Sequence, residues 1–346
     1  MIAAAEADDA FLLATQNDDG IVVTTDATDY TIQAQATLKS LNLTPGERRV
    51  RPISGHNTSV LLPCRGTDGR PFLLKYFIPP AERRFYPAGV RIEDYARREG
   101  AFYRLLDSID PHRQLLPAPK TILIDSGDPP AWILLEWIEP AVGPIEEVMS
   151  SDHIFDLMRR LRDIPLNIML GRRDFPMSHW DVVSYLDRFR LMYESVFEMV
   201  GDARWKRCQE FYTEATRWTE ARKPVLVHGD FHEQNIMVDA DGRPFLVDFE
   251  RIGIGNEDHD FAWLWIHSQR TQEFKRNLIE RYFGPRFGSD RIKAEWGIRS
   301  ALAHVALRRL HFGGLRHGPD FEDRAATLGL LDAALNGGTD LFPAAD

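Results

Sequence analysis

At 346 residues the chain exceeds what one hydrophobic core ordinarily supports, so two lobes or domains are expected. With 44% hydrophobic and 27% charged residues it is a globular composition, and no apolar run of ~18 residues offers a membrane-spanning helix. The net charge of −10 excludes nucleic acid as the expected partner, since phosphate neutralisation needs clustered Lys and Arg.

Much of that acidity is local. The first 38 residues hold Glu6, Asp8, Asp9, Asp18, Asp19, Asp26 and Asp29 with no Lys or Arg, which leaves 42 basic against 45 acidic residues beyond them. The absence of basic residues there argues against a secretory or mitochondrial leader. Two cysteines, Cys64 and Cys208, make neither a disulfide framework nor a four-ligand zinc site, so a reducing cytoplasm is expected.

Residues 1–28 are acidic, Ala-rich and weakly patterned, the composition of a partly disordered segment. Tyr30–Leu41 reads as a short amphipathic helix ended by Thr44-Pro45-Gly46. A strand over Arg49–Ile53 leads to a turn at Ser54-Gly55-His56-Asn57-Thr58. Ser59–Leu62 and Phe72–Phe77 form a hairpin about Thr67-Asp68-Gly69, and Pro79-Pro80 stops the second strand. A helix is expected over Ile92–Leu106, and strands over Thr121–Ile124 and Trp132–Ile138, before a linker near 136–145. Beyond 150 the pattern turns helical, over 151–163, 179–200, 203–222, 257–270, 272–283 and 290–310. One interruption, Val225–Val238, reads as a strand–loop–strand hairpin. This gives an N-lobe at 29–139 and a helical C-lobe at 140–346.

The interruption carries the chemistry. His228, Asp230 and His232 alternate, which in an extended segment puts three metal-binding side chains on one face. Yet Ile236 stands where a zincin helix needs its second His, and no His-x-His cluster occurs elsewhere. A phosphoryl-transfer reading absorbs more of the chain. His228-Gly229-Asp230-Phe231-His232-Glu233-Gln234-Asn235 has the spacing His-x-Asp, four residues, Asn. Asp230 would orient and deprotonate a hydroxyl. Asn235 and Asp248, the latter after the strand Phe245–Val247, would offer oxygens to Mg2+, a hard ion. Lys75 interrupts the apolar run Leu73–Phe77, where a lysine needs a partner; Glu99 on the next helix supplies one. Backbone N–H groups of the turn holding Gly55 and Asn57 would cover phosphates, and the Leu135–Ile138 backbone would meet an adenine edge.

With these residues in hand, the chain resembles the aminoglycoside phosphotransferase and choline kinase family over about residues 30–315. The resemblance implies an α+β, bilobal protein-kinase-like fold, with a small β-rich N-lobe carrying one helix and a large, mainly helical C-lobe. It also implies ATP or another nucleoside triphosphate, Mg2+, and a small-molecule hydroxyl acceptor. By it Asp230 is the catalytic residue, Asn235 and Asp248 the magnesium ligands, Lys75 and Glu99 the nucleotide-binding pair, and Glu136 and Ile138 the hinge positions. Asp260 buttresses the catalytic loop, and His228 supports it. His232 stands where protein kinases carry lysine and is read either as a phosphate contact or as loop support. Glu257 and Asp258 either cap the helix that starts there or face an acceptor amine; Trp263 either lines the groove or belongs to the core.

Glu250 replaces the glycine of Asp-Phe-Gly, and about ten residues separate Asp248 from the next helix, leaving little room for a long activation loop. That favours a small acceptor such as an antibiotic, amino-alcohol, sugar or nucleoside. A Ser/Thr protein kinase of the same fold, a nucleotide-binding pseudokinase and a metallophosphoesterase are the rival readings.

Overall fold

The computed structural model describes residues 26–46, 59–78, 94–169, 175, 178–192, 196–220, 222–268 and 270–337. The acidic segment as far as residue 25, the strand over 49–53 and the turn with Gly55 and Asn57 lie outside them.

The N-terminal lobe is an antiparallel sheet of order β1-β2-β3-β5-β4. Its strands are β1 (Thr44–Pro45), β2 (Ser59–Arg65), β3 (Pro71–Phe77), β4 (Thr121–Ile124) and β5 (Trp132–Glu136). The period-two alternation of β3 sorts its residues between two faces. Phe72, Leu74 and Tyr76 join Cys64, Leu134 and Trp132 against helix α1 (Asp26–Ser40), which buries Ala34 and Leu38, four residues apart. Leu73 and Phe77 join Ile133 and Leu135 on the opposite face with helix α2 (Asp94–Ile109). Each fully buried leucine of these faces contributes about 1.5–3 kcal/mol. A helix therefore lies on each side of the sheet, matching the two helices read over Tyr30–Leu41 and Ile92–Leu106. Helix α1 also starts at Asp26, inside the segment read as partly disordered.

The chain then crosses to the second lobe through residues 137–141. Pro140 bridges Asp239, and the Ala141 N–H donates to the Val238 carbonyl at 2.8 Å, so the connection is tied to the larger lobe. A short helix, α3 (Ile145–Val148), precedes α4 (Ser151–Asp163), which Ser150 and His153 close with a reciprocal capping box.

The expected helix over 179–200 divides. Ser178–Trp180 is strand β6, the Asp181 carboxylate caps the next turn through the Ser184 N–H at 2.8 Å, and α5 runs Val182–Met192. Helix α6 (Phe197–Thr219) follows, kinked where Gly201 takes φ 74°.

The expected hairpin over 225–238 is also corrected: its two strands lie in different sheets. β7 (Val225–Val227) pairs with β10 (Gly253–Gly255), which in turn runs parallel to β6. β8 (Ile236–Val238) pairs instead with β9 (Pro244–Leu246) about the turn at Gly242. The polar loop thus spans two small sheets.

Helices α7 (Asp258–His267), α8 (Gln272–Phe283), α9 (Gly288–His317) and α10 (Arg324–Asn336) complete the lobe. The central part of α9 is buried nearly all round because α5, α6, α7 and α10 surround it. The Arg299 guanidinium of α9 donates to the carbonyls of Ala334 and Leu335, satisfying the otherwise unbonded end of α10. Among the described residues, no helix is long and apolar enough to cross a membrane.

Candidate active site

Lys75 faces α2 because β3 alternates. Its ammonium donates to Glu99 Oε2 at 2.6 Å and to Asp248 Oδ1 at 2.5 Å, with only 7% of the side chain exposed. Burial opposes the charge, but the Asp248, Glu99 and Glu250 carboxylates outweigh it and raise the Lys75 pKa well above its ordinary value. Burial pushes Glu99 up to about 7 against the pull of Lys75.

Asp248 takes φ 68°, the left-handed region, and a 3₁₀ turn (Phe249–Arg251) begins immediately after it. This turn is locked to α2. The Phe249 ring lies 4.7 Å from Phe102 and 5.4 Å from Tyr103, and Arg98 donates to the Glu250 carbonyl at 2.6 Å.

The loop after β7 is held from beneath. The two Asp260 oxygens accept the backbone N–H groups of His228 at 2.8 Å and Gly229 at 2.9 Å. Burial raises the Asp260 pKa to about 7, while those two N–H groups pull it down. Gly229 sits at φ 79°, and a Cβ there would collide with the Arg251 carbonyl and the Trp180 indole. His228 Nε2 meets the Val247 carbonyl at 3.0 Å, and burial holds this ring neutral, with a pKa lowered to about 4. His259, itself lowered to about 3 by burial, bridges the Tyr185 hydroxyl at 2.5 Å and the Gly229 carbonyl at 3.3 Å.

On that base the functional groups are fixed. The Asn235 amide nitrogen donates to the Asp230 carbonyl at 2.8 Å, and the Val247 N–H donates to the Asn235 carbonyl at 3.0 Å. Asn235 is thereby placed beside the strand end that carries Asp248. Burial acts to raise the Asp230 pKa, but the Arg251 guanidinium, with Nη1 3.5 Å from Oδ1, and the His232 ring, with Nε2 3.8 Å from Oδ2, drive it well below the carboxylate range. Asp230 is ionised. The Asn235 amide oxygen and the second Asp248 oxygen are hard donors with no bonded partner among the described residues, a set that fits Mg2+ completed by phosphate and water oxygens.

The remaining sequence-derived positions fare differently. Glu136 ends β5, where its N–H donates to the Lys120 carbonyl at 2.9 Å and its carboxylate accepts the Lys120 N–H at 2.8 Å. Ile138 lies half-buried in the crossing segment. Glu257 and Asp258 do not cap α7 through their side chains and do not stand open to an amine. Glu257 is gripped by Arg162 at 2.6 Å and Arg286 at 2.5 Å; Asp258 binds Arg222 and accepts the Tyr282 hydroxyl at 2.5 Å. Trp263 is buried against His259 and His267. Arg251, Trp180 and Tyr185 escaped the sequence reading. Arg251 lies three residues after Asp248 and was within reach of that motif, whereas Trp180 and Tyr185 carry no local signal.

Comparison with known proteins follows the geometry. Residues 65–294 match the model of the phosphotransferase enzyme family. A probable ketoamine kinase of Enterococcus faecium is 23% identical over 200 residues, covering 54% of this chain and 68% of that protein. Aminoglycoside phosphotransferase APH(4)-Ia, solved as a thermostable mutant with ADP and hygromycin B, superposes with a TM-score of 0.55 at 16% identity, covering 88% of this chain and 98% of that one. A choline/ethanolamine kinase family protein of Mesorhizobium loti gives 0.52 at 16% identity, covering 90% and 96%.

Proposed function

The chain belongs to the phosphotransferase enzyme family, as a small-molecule kinase, and on that premise we propose that it transfers the γ-phosphate of ATP or another nucleoside triphosphate to a hydroxyl of a small acceptor in the cytoplasm. One arrangement carries this reading. A buried lysine is clamped between Glu99 and Asp248, and the neighbouring loop presents an ionised Asp230 together with Asn235.

Lys75 offers phosphate oxygens an ammonium that Glu99 and Asp248 already hold in place, so little ordering cost remains when the nucleotide arrives. Asp230 accepts the acceptor's O–H and aims its oxygen at phosphorus. The new P–O bond forms as the bond to the leaving diphosphate breaks, and the proton passes to the Asp230 carboxylate. A carboxylate of such low pKa takes that proton late, which suits a loose transition state in which orientation matters more than basicity. Asn235 and Asp248 would hold Mg2+, which when bound neutralises phosphate charge.

Nine residues, 249–257, separate Asp248 from α7, and they are occupied by a 3₁₀ turn and β10. That leaves no long activation segment and favours a small acceptor over a protein. The metallophosphoesterase reading lacks a ligand set, since no group of three or more His, Cys, Asp or Glu among the described residues is arranged to hold a metal.

The test is transfer of labelled γ-phosphate across a panel of antibiotics, amino-alcohols, sugars and nucleosides, with wild type and Asp230→Asn side by side. Label appearing on an acceptor in wild type alone supports the reading. Full turnover by Asp230→Asn shows that another group serves as base.

A further inference from the structure

Between Asp230 and Trp263 the surroundings are cationic. Arg251 touches Asp230, and its guanidinium lies 5.9 Å from the Trp263 ring centroid. Arg308 of α9 lies 5.7 Å from the same ring and 5.6 Å from Phe312. Arg308 is half-buried and forms no ion pair with any carboxylate among the described residues. The Trp263 indole N–H is buried, 6% of the residue being exposed, and has no acceptor among the described residues. Two guanidinium groups and an orphaned N–H, all donors, thus meet around one indole.

The nearby carboxylates are otherwise engaged. Asp260 is spent on the His228 and Gly229 N–H groups, while Glu257 and Asp258 are neutralised by arginines. Glu250 lies 3.9 Å from Arg251, so among the described residues an ammonium-bearing acceptor would meet Asp230 and Glu250 with Arg251 already beside both. A half-buried guanidinium without a counter-charge is costly, and an incoming oxyanion offsets that cost.

We propose that the acceptor carries an oxyanionic group, a carboxylate or a phosphate, bound by Arg251, Arg308 and the Trp263 N–H, which places its hydroxyl against Asp230. This rests on the phosphotransferase reading and narrows its substrate class. The anion also draws Arg251 towards itself, leaving the Asp230 oxygen free for the hydroxyl.

The experiment titrates inorganic phosphate and gluconate by calorimetry into the protein saturated with a non-hydrolysable ATP analogue, which blocks the nucleotide phosphate site. Wild type should bind at least one of the two anions, and which one identifies the group. Arg308→Met should weaken that binding about tenfold to a hundredfold, the range for one charge-assisted hydrogen bond. Arg281→Met, which removes a surface charge paired with Asp152, should leave it unchanged. Should Arg308→Met not fold, Arg308→Lys keeps the charge but loses the fork, and a smaller weakening is expected.

In transfer assays on one carbon skeleton, gluconate or glucose 6-phosphate should exceed glucose and glucosamine in kcat/KM. Absence of anion binding, binding indifferent to folded Arg308→Met, or preference for glucosamine overturns the proposal. Failure of the ATP analogue to bind wild type, or absence of γ-phosphate transfer by wild type to every acceptor tried, instead overturns the phosphotransferase reading beneath it.

Discussion

Asp260→Asn separates stability from turnover at the base of the catalytic loop. The substitution keeps size and removes the titrating group. The Asn oxygen can accept one of the two N–H groups that Asp260 now holds at 2.8 and 2.9 Å; its amide nitrogen then faces the other. That orphaned donor costs about 1–3 kcal/mol. Wild type carries an opposing burden, because burial raises Asp260 to about 7 against roughly 3.9 in an unfolded chain. The folded state therefore binds the extra proton between those values, so the stability contributed by this group falls as pH rises through the window. From pH 5 to above pH 7 the change is about 3 kcal/mol, two pKa units at 1.36 kcal/mol each.

Asp260→Asn should thus be less stable than wild type by about 1–3 kcal/mol at pH 5 and equal to it, or more stable, at pH 8. Turnover should drop about a hundredfold at either pH, because the loop that positions Asp230 shifts. Urea denaturation followed by tryptophan fluorescence at pH 5, 6, 7 and 8 measures the first effect, and phosphate transfer at saturating acceptor the second. A stability difference that stays flat across that range, or an unchanged kcat, refutes the account of Asp260.

Four further outcomes are expected. Asp230→Asn should abolish transfer while leaving the nucleotide dissociation constant within about threefold of wild type by calorimetry, a change of under about 1 kcal/mol. Lys75→Met should raise nucleotide KM by about tenfold or more, and Glu99→Gln less, since Asp248 still holds the ammonium in that variant; steady-state kinetics on the pair decides. His228, lowered to about 4 by burial, refuses the proton that an unfolded histidine takes at about 6.5. Wild-type stability therefore falls as pH drops across that window, by up to about 3 kcal/mol, and His228→Gln should lack this component in denaturation at pH 7 and 4.5. Gly229→Ala combines a positive φ with a collision against Arg251 and Trp180, and should lose about 3 kcal/mol or more by denaturation.

The parts legible in the sequence are those whose chemistry is local or whose polarity contradicts its setting. Lys75 stood out because an ammonium interrupts an apolar strand, and the structure supplies its two carboxylates. The spacing from His228 to Asn235 separates a loop carbonyl from the amide that binds it. The three-residue strands β6 and β10 are too short for a periodic signal and exist because they pair with each other across 75 residues of chain, from Ser178 to Gly253. Glu257 and Asp258 misled for a related reason. Their arginine partners come from α4 and from the stretches just after α6 and α8, and no local pattern announces them.

That long-range pairing sets how the Asp230 and Asp248 carboxylates are coupled. From β7 the chain runs through the Asp230 loop, out along the β8–β9 hairpin and back through Asp248; β10 then pairs with β7 at Gly253 and Val227. The path is closed on itself, and it is rungged by His228 Nε2 on the Val247 carbonyl and by the Val247 N–H on the Asn235 carbonyl. Asp230, Asn235 and Asp248 therefore sit on one rigid ring within the larger lobe. Lys75 and Glu99 reach that ring from the smaller lobe, through Asp248 and the Arg98–Glu250 contact. Motion of one lobe against the other strains those cross-lobe bonds before it disturbs the ring. Nucleotide entry should accordingly be felt at Lys75 and α2, while the relation of Asp230 to Asn235 and Asp248 stays fixed.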